Sequence, residues 1–75
     1  MTTQQITIEK RNKRVNHCLG TINRIIQRNG ANKQGCLNEL LEVIGEAWDL
    51  KLGYGGSHIW CANKKNERVF IITGY

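Results

Sequence analysis

Two adjacent glycines, Gly55 and Gly56, stand between two stretches of alternating apolar residues in the C-terminal half of the chain. The pair predicts a β-hairpin, because both central residues of a type I′ turn need positive φ, which glycine adopts without strain. Antiparallel strands must flank such a turn, and their alternating side chains must divide between two sheet faces. His58 and Trp60 follow the turn directly, so both are predicted to lie on a strand.

Three strands are predicted, at about 48–54, 57–62 and 67–73, joined as an antiparallel meander with a second turn at Lys64-Lys65. The two turns pair Leu52 with Ile59, and Ile59 with Phe70. One face of this sheet is apolar and contains Leu50, Leu52, Ile59, Cys61, Phe70 and Ile72. The opposite face contains Asp49, Lys51, His58, Trp60, Val69 and Ile71.

Two helices are predicted before the strands. Apolar residues recur at helical spacing from about Lys13 to Arg28, and Gly30 is expected to end this helix in a left-handed cap. The second helix, from about Cys36 to Ala47, has an acidic side and an apolar side. The apolar side contains Leu37, Leu40, Leu41, Ile44 and Ala47.

Both helices must cover the apolar face of the sheet, because no other part of the chain can bury it. We therefore expect a single small α+β domain over residues 1–75, with two N-terminal helices packed on one face of a three-stranded antiparallel meander. Residues 1–12 are expected to be flexible or to form an edge strand.

Positive charge is concentrated in the first half of the chain. The formal net charge is +5, and up to residue 34 seven basic side chains accompany a single acid, Glu9. A polyanion such as nucleic acid is the natural partner for this segment, and a merely solubilising charged surface is the alternative.

The chain has no apolar run near the ~20 residues needed to span a bilayer, and its first residues lack the features of a signal peptide. Cys18, Cys36 and Cys61 are widely spaced and fit neither a disulfide framework nor a paired-ligand zinc site. We expect a cytoplasmic protein with reduced thiols and without a metal or other cofactor. Because the domain is small, a homodimer or a partner protein is expected to contribute to its stability.

His58 and Trp60 are the main candidates for function on the open sheet face. An indole can stack a base while neighbouring cations hold the phosphates, and histidine titrates near neutrality, which suits proton transfer. The cations expected to bind nucleic acid are Lys51 (directly opposite Trp60), Lys64, Arg68, Arg14, Arg24 and Arg28. Core packing or a dimer contact is the alternative for Trp60, and an ordinary surface histidine is the alternative for His58.

Gly56, Ser57 and His58 follow a helix and a strand with a basic residue, and lead into the apolar strand that begins Ile59-Trp60. In this order, residues 37–75 resemble the HicA-type mRNA interferase toxins of toxin–antitoxin systems, which have a compact double-stranded-RNA-binding-like fold. The resemblance implies that His58 is the catalytic residue of a metal-independent endoribonuclease, and that a partner antitoxin blocks the site. The family has a second helix after its third strand, and here the preceding basic helix is expected to fill that place.

A hydrolase of this kind would cleave RNA by transesterification through the 2′-OH, with His58 as general base or acid and Ser57 orienting the phosphate. The cations available to stabilise the transition state are Lys51, Lys64 and Arg68. Two other functions stay open. One is a non-enzymatic phage- or plasmid-type inhibitor or regulator that binds a protein partner, and the other is a plain nucleic-acid-binding module.

Overall fold

The computed structural model describes residues 4–45 and 48–75. Its helices are α1 (Lys13–His17), α2 (Leu19–Asn29) and α3 (Lys33–Ile44). Its strands are β1 (Gln5–Ile8), β2 (Lys51–Tyr54), β3 (His58–Ala62) and β4 (Arg68–Thr73). The expected α+β class is confirmed, but the sheet has more strands than the three predicted.

The sheet is antiparallel throughout and has the strand order β1-β4-β3-β2. Its additional strand, β1, pairs with β4 and places Ile6 opposite Ile72. Glu9 and Lys10, just beyond β1, both donate their backbone N–H groups to the Val69 carbonyl, at 2.8 and 3.0 Å. The strand that carries His58 and Trp60 is therefore an inner strand, with β2 at one edge of the sheet and β1 at the other.

The first hairpin differs from its predicted register. Leu52 pairs with Cys61, two residues beyond the predicted partner. Gly55 donates its N–H to the His58 carbonyl at 2.9 Å, so the turn consists of Gly56-Ser57. The expectation of a type I′ turn is wrong, because neither glycine of the pair has positive φ.

The second hairpin is shifted in the same way. Ile59 pairs with Ile72, again two residues beyond the predicted partner. The loop spans residues 64–66, not only Lys64-Lys65, and Asn66 closes it with φ 64° in the left-handed region. A left-handed residue ending a three-residue loop is a common hairpin geometry, and asparagine adopts it more readily than most residues.

Because both shifts are of two residues, they preserve the predicted division of side chains between the faces. Two residues predicted on the open face are exceptions. Val69 is 1% exposed and belongs to the core, near an irregularity in the pairing at Cys61 and Ala62. Asp49 precedes β2 with φ 56° and lines a cleft with Trp48 and Leu50. The buried core residues contributed by the strands and their flanks are Leu50, Ile59, Cys61, Val69, Phe70 and Ile72.

The helices supply the other half of the core. Leu37, Leu40 and Ile44 are buried as predicted, whereas Leu41 is 45% exposed, so the apolar stripe of α3 is narrower than expected. Cys36, also on α3, is buried with these residues. Glu46, on the acidic side of the predicted second helix, and the predicted core residue Ala47 lie outside the described residues. The buried residues of α1 and α2 are Val15, Ile22, Ile25 and Ile26.

Two asparagines determine where helices begin. Asn12 accepts a hydrogen bond from the Val15 N–H at 3.0 Å, and Asn32 accepts one from the Gly35 N–H at 3.1 Å. The second cap starts α3 at Lys33, three residues before the predicted start. The predicted first helix is divided at Cys18, whose φ of −110° and ψ of 16° separate α1 from α2. Gly30 follows α2 with φ 53°, but its ψ of −125° lies outside the left-handed helical region that was predicted for the cap.

Over the described part of the chain, no helix is both long enough and apolar enough to cross a bilayer.

Candidate nucleic-acid interface

The helices and the buried side chains occupy one face of the sheet, and the other face carries the candidate functional residues. We call this second surface the open face, and it is formed by Lys51, Gly53, His58, Trp60, Ile71 and Thr73. Their shared position follows from the register, because directly paired residues of antiparallel strands project to the same side.

Trp60 lies against the backbone of Gly53, its direct cross-strand partner. A Cβ atom added to Gly53 would lie 2.8 Å from Cε2 and 3.1 Å from Nε1 of the indole, closer than normal contact allows. On its other side Trp60 pairs with Ile71 of β4. The predicted pairing of Lys51 with Trp60 is wrong, because the two-residue shift places Lys51 opposite Ala62.

The half-buried indole forms one wall of a shallow cleft of about 210 Å³, whose other lining residues are Ala62, Asn66 and Arg68. Lys51 reaches the same place, since its Nζ donates to Asn66 Oδ1 at 3.1 Å. We call this group the Trp60 cleft. It unites three residues that were predicted to bind nucleic acid, Trp60, Arg68 and Lys51.

Asn66 was missed as a site residue. Its left-handed φ of 64° and its bond to Lys51 make it the residue that joins the loop to β2. The sequence signal that could have found it is the asparagine after Lys64-Lys65, a residue type suited to end a three-residue hairpin loop.

His58 and Ser57 lie at the opposite end of β3 from the Trp60 cleft. The imidazole covers Gly55, where an added Cβ would lie 3.1 Å from both ring nitrogens. It forms no hydrogen bond within the described residues, and Ser57 is exposed in the turn. His58 and Ala62 bound β3, four residues apart, which corresponds to about 13 Å along a strand. The structure therefore does not bring His58 together with Lys51 and Arg68.

A different cation, Lys33, reaches the turn before His58. Its Nζ donates to the carbonyls of Gly55 at 2.7 Å and Gly56 at 3.1 Å, and lies 5.0 Å from the centre of the Tyr54 ring. In the sequence, Lys33 is only one of the basic residues of the N-terminal half. No local signal identifies it, because the contact joins residues more than twenty positions apart.

The remaining predicted cations are dispersed, and two of them are in ion pairs. Arg28 bonds to Glu39 across α2 and α3, and this bond lowers the pKa of the Glu39 carboxyl. Lys64 Nζ lies 3.2 Å from Asp49 Oδ1. Arg24 is exposed on α2, in the helical layer. These positions place much of the basic surface away from the open face.

Arg14 is on α1, where it lines a separate cleft with Trp48. Neither residue is on the open face.

A thiol–imidazole pair between Cys61 and His58 is excluded by their positions. Cys61 is completely buried on the core face, and burial raises the pKa of its thiol to about 12. The three cysteines are free thiols, of which Cys18 is partly exposed and the other two are buried. Among the described residues, no three side chains of the His, Cys, Asp and Glu types are grouped to hold a metal ion.

Comparison of the chain with protein-family models, with characterised proteins and with solved structures finds no match. Function is therefore inferred from the chemistry and placement of the side chains.

Proposed function

We propose that this protein binds single-stranded RNA on the open face of its sheet, with the Trp60 cleft as the central contact. The observation that carries the proposal is the position of Trp60: its indole lies on an uncovered face over Gly53, beside Arg68 and the Lys51–Asn66 pair. Sheet surfaces that bind single strands combine an aromatic platform for a base with cations for the backbone phosphates.

The net charge supports the same partner. A chain with a formal charge of +5 attracts polyanions at a distance, and the Trp60 cleft then offers a site for a base with two cations beside it. The alternative to RNA is a protein partner. In a protein–protein interface centred on the Trp60 indole, Arg68 and Lys51 would lie at the rim.

The test is the binding of a fluorescein-labelled, mixed-sequence 12-nucleotide RNA, measured by anisotropy over a range of salt concentrations. Trp60→Leu keeps an apolar side chain over Gly53 but removes the stacking surface. Since stacking is worth about 1–3 kcal/mol per base, we expect affinity to fall about 5- to 150-fold.

Arg68→Gln and Arg24→Gln form a matched pair, because each removes one positive charge, the first at the Trp60 cleft and the second on α2. Only Arg68→Gln is expected to lower the slope of log K against log salt, by about 0.7 for one phosphate contact on a single strand. Equal effects of the two variants would mean diffuse electrostatic attraction, and an unchanged affinity in Trp60→Leu would reject the open face as the RNA site.

A second candidate function, cleavage of RNA at His58, is supported by the surroundings of the turn. The imidazole is unbonded within the described residues, the neighbouring Ser57 hydroxyl is exposed, and the Lys33 ammonium adds a positive charge at the carbonyls of Gly55 and Gly56. The order of helix, strand, Gly-Ser-His and two strands over α3 to β4 is the one on which the resemblance to HicA-type toxins depends. In this proposal His58 transfers a proton in a metal-independent transesterification, and an antitoxin-like partner covers the turn.

Cleavage of the same RNA in EDTA by wild type, His58→Phe and His58→Ala tests this proposal. A phenyl ring still covers Gly55 but cannot transfer a proton, so it separates chemistry from packing. Loss of cleavage in both variants, with His58→Phe as stable as wild type, supports catalysis by His58. Full activity in His58→Phe, or no activity in well-folded wild type, would refute it and leave RNA binding as the function to examine.

A further inference from the structure

The outer edge of β2 can accept a further strand. β2 ends the sheet, and among the residues that the structure describes it pairs only with β3. Gly55 donates its N–H to the His58 carbonyl, and hydrogen-bonded pairs alternate with non-bonded pairs along an antiparallel ladder. Gly53 therefore bonds toward β3, whereas its neighbours Leu52 and Tyr54 direct their N–H and C=O groups away from the sheet. These outward groups are the ones that an added strand would bond.

A second copy of β2 fits this edge when a two-fold axis passes beside Gly53. Leu52 then lies opposite Tyr54 of the second copy, and both pairs of this kind exchange two backbone hydrogen bonds. Each pair joins an aliphatic to an aromatic side chain, which is a favourable cross-strand combination, and Tyr54 is 51% exposed in the single chain. A shift by one residue would set outward groups against inward ones. Hydrogen bonding therefore favours this alignment, in which the outward residues of one β2 meet those of the other.

The open side of this contact has room because the residue at the axis is glycine. Gly53 lies opposite Gly53 of the second copy as a non-hydrogen-bonded pair, whose Cβ positions are about 4.5–5.5 Å apart. Cε2 of Trp60 lies 2.8 Å from the Cβ position of Gly53. The two Trp60 indoles would therefore meet at the axis, where a side chain at position 53 of either strand would obstruct them. This fit distinguishes a second copy from an arbitrary strand.

On the helical side of the sheet, α3 adds apolar surface to the same edge. The helix packs on β2 and β3, and Glu39 faces α2 through its bonds to Arg28 and Asn29. Leu41 is two residues further along, about 200° around the helix, so it lies on the flank that faces away from α2. It is 45% exposed. A second copy would bring its own α3 and Tyr54 to this flank and would cover Leu41.

We propose that β2 pairs with β2 of a second copy, antiparallel about a two-fold axis at Gly53, and that the dimer joins the two open faces and the two Trp60 indoles into one surface. The dimer itself does not depend on RNA, whereas the use of the paired indoles to stack bases rests on the proposed RNA binding. An edge of four residues gives a small contact, and interfaces below about 1,200 Å² are typical of transient complexes.

The charge of the chain predicts how salt affects the dimer. Each copy has a formal charge of +5, so the two copies repel one another, and salt screens this repulsion. Dimerisation should therefore strengthen as salt is added, whereas RNA binding should weaken. The opposite salt dependences allow the two equilibria to be told apart.

Amide hydrogen exchange of wild type without RNA, followed by NMR from micromolar to millimolar protein, tests the pairing residue by residue. Protection of the Leu52 and Tyr54 amides should rise with protein concentration, while Gly53, which already bonds to β3, should change less. Ile6 and Thr7 of β1, at the other edge of the sheet, are the control and should not respond. Sedimentation should show the mass rising from 8.6 kDa toward twice that value. Protection that is independent of concentration, or that rises on β1 instead, would overturn the proposal.

Tyr54→Pro and Tyr54→Val form a matched pair of variants. Both remove the ring that Lys33 contacts, but only proline removes the outward N–H and blocks the edge. Proline is tolerated on an edge strand where the N–H faces away from the sheet. Tyr54→Val should still dimerise, and Tyr54→Pro should remain monomeric at every concentration. Equal dimerisation of the two variants would contradict the pairing, and the exchange pattern of wild type decides the question if Tyr54→Pro does not fold.

Binding of the labelled 12-nucleotide RNA separates this proposal from the proposed RNA site. If both hold, wild type should bind the RNA more tightly than folded, monomeric Tyr54→Pro, and RNA should increase the fraction of dimer. Equal affinities would reject the shared surface. If wild type stays monomeric, the dimer is rejected, while a loss of affinity in Trp60→Leu would still support RNA binding at a single Trp60 cleft. If wild type dimerises but binds no RNA, the β2 dimer stands and the RNA site is rejected.

Discussion

Replacing Gly53 by alanine tests the contact on which the open face depends. The new Cβ would lie 2.8 Å from Cε2 of Trp60, whereas carbon atoms normally approach to about 3.5–4.0 Å, so the indole must move by about 1 Å. Overpacking of this kind costs about 1–3 kcal/mol. We expect the lower part of that range, because a half-buried indole can move toward solvent. Gly53 does not have positive φ, so alanine itself is not strained there.

The change in the free energy of unfolding caused by Gly53→Ala should reverse its sign when the indole is removed. In a Trp60→Ala background the clash disappears, and Gly53→Ala should stabilise the strand by about 0.5–1 kcal/mol because alanine has less conformational freedom to lose. The coupling energy between the two sites is therefore about 1.5–3 kcal/mol. It is measured from urea unfolding of wild type, both single variants and the double variant.

Gly56→Ala is the matched glycine control, since a Cβ there meets no atom within 4 Å. If Gly53→Ala shifts stability by the same amount in both backgrounds, within the ~0.5 kcal/mol typical of independent sites, the indole does not rest on Gly53. The description of the Trp60 cleft would then be wrong.

Three further outcomes follow from other contacts. The Tyr75 hydroxyl is buried near the Cys36 thiol and has no hydrogen bond of normal geometry to any described residue, so Tyr75→Phe should raise the free energy of unfolding by about 1 kcal/mol in a urea titration. The bond from Arg28 holds the pKa of Glu39 below that of an unperturbed glutamate, so the stabilising effect of the bond is complete above the unperturbed pKa and is lost as the pH falls through the lowered value. Acid titrations of wild type and Arg28→Gln should therefore converge at low pH. Asn66→Ala should destabilise the loop by roughly 1 kcal/mol in thermal unfolding, and Asn66→Gly should cost less, because the φ of 64° favours glycine.

The faces of the hairpins could be predicted from the sequence, but their registers could not. The alternation of Ile59 and Cys61 with His58 and Trp60 determines which side chains share a face, and any shift of two residues preserves it. The register depends on which turn residues close each hairpin. At the second turn the choice between a two- and a three-residue loop was decided by Asn66 adopting the left-handed region, a preference that the apolar pattern does not contain.

The edge strand β1 illustrates a different limit of sequence patterns. Its four residues, Gln5–Ile8, contain only two apolar side chains and no flanking turn signal. It becomes a strand by pairing with β4, a partner more than sixty positions away in the sequence. A short segment of this kind has almost no local signal, because its stability comes from the neighbouring strand.

The distribution of charge explains why the candidate site was predicted only in part. The sequence shows how many cations are present, but the fold determines which of them carboxylates neutralise and which lie beside an aromatic ring. Arg28 is paired with Glu39 between two helices, while Lys51 and Arg68 come to the same cleft as Trp60.

The separation of His58 from that cleft has a chemical consequence. If the protein cleaves RNA, the positive charge at the scissile phosphate must come from the neighbourhood of the turn, where Lys33 is bonded to two carbonyl groups. Lys33 would have to exchange those bonds for a phosphate oxygen, which makes its mobility a condition of catalysis. RNA binding at the Trp60 cleft needs no such rearrangement, because Arg68 and the indole already line the same space. Of the two proposals, RNA binding is therefore the one that requires no conformational change of the folded chain.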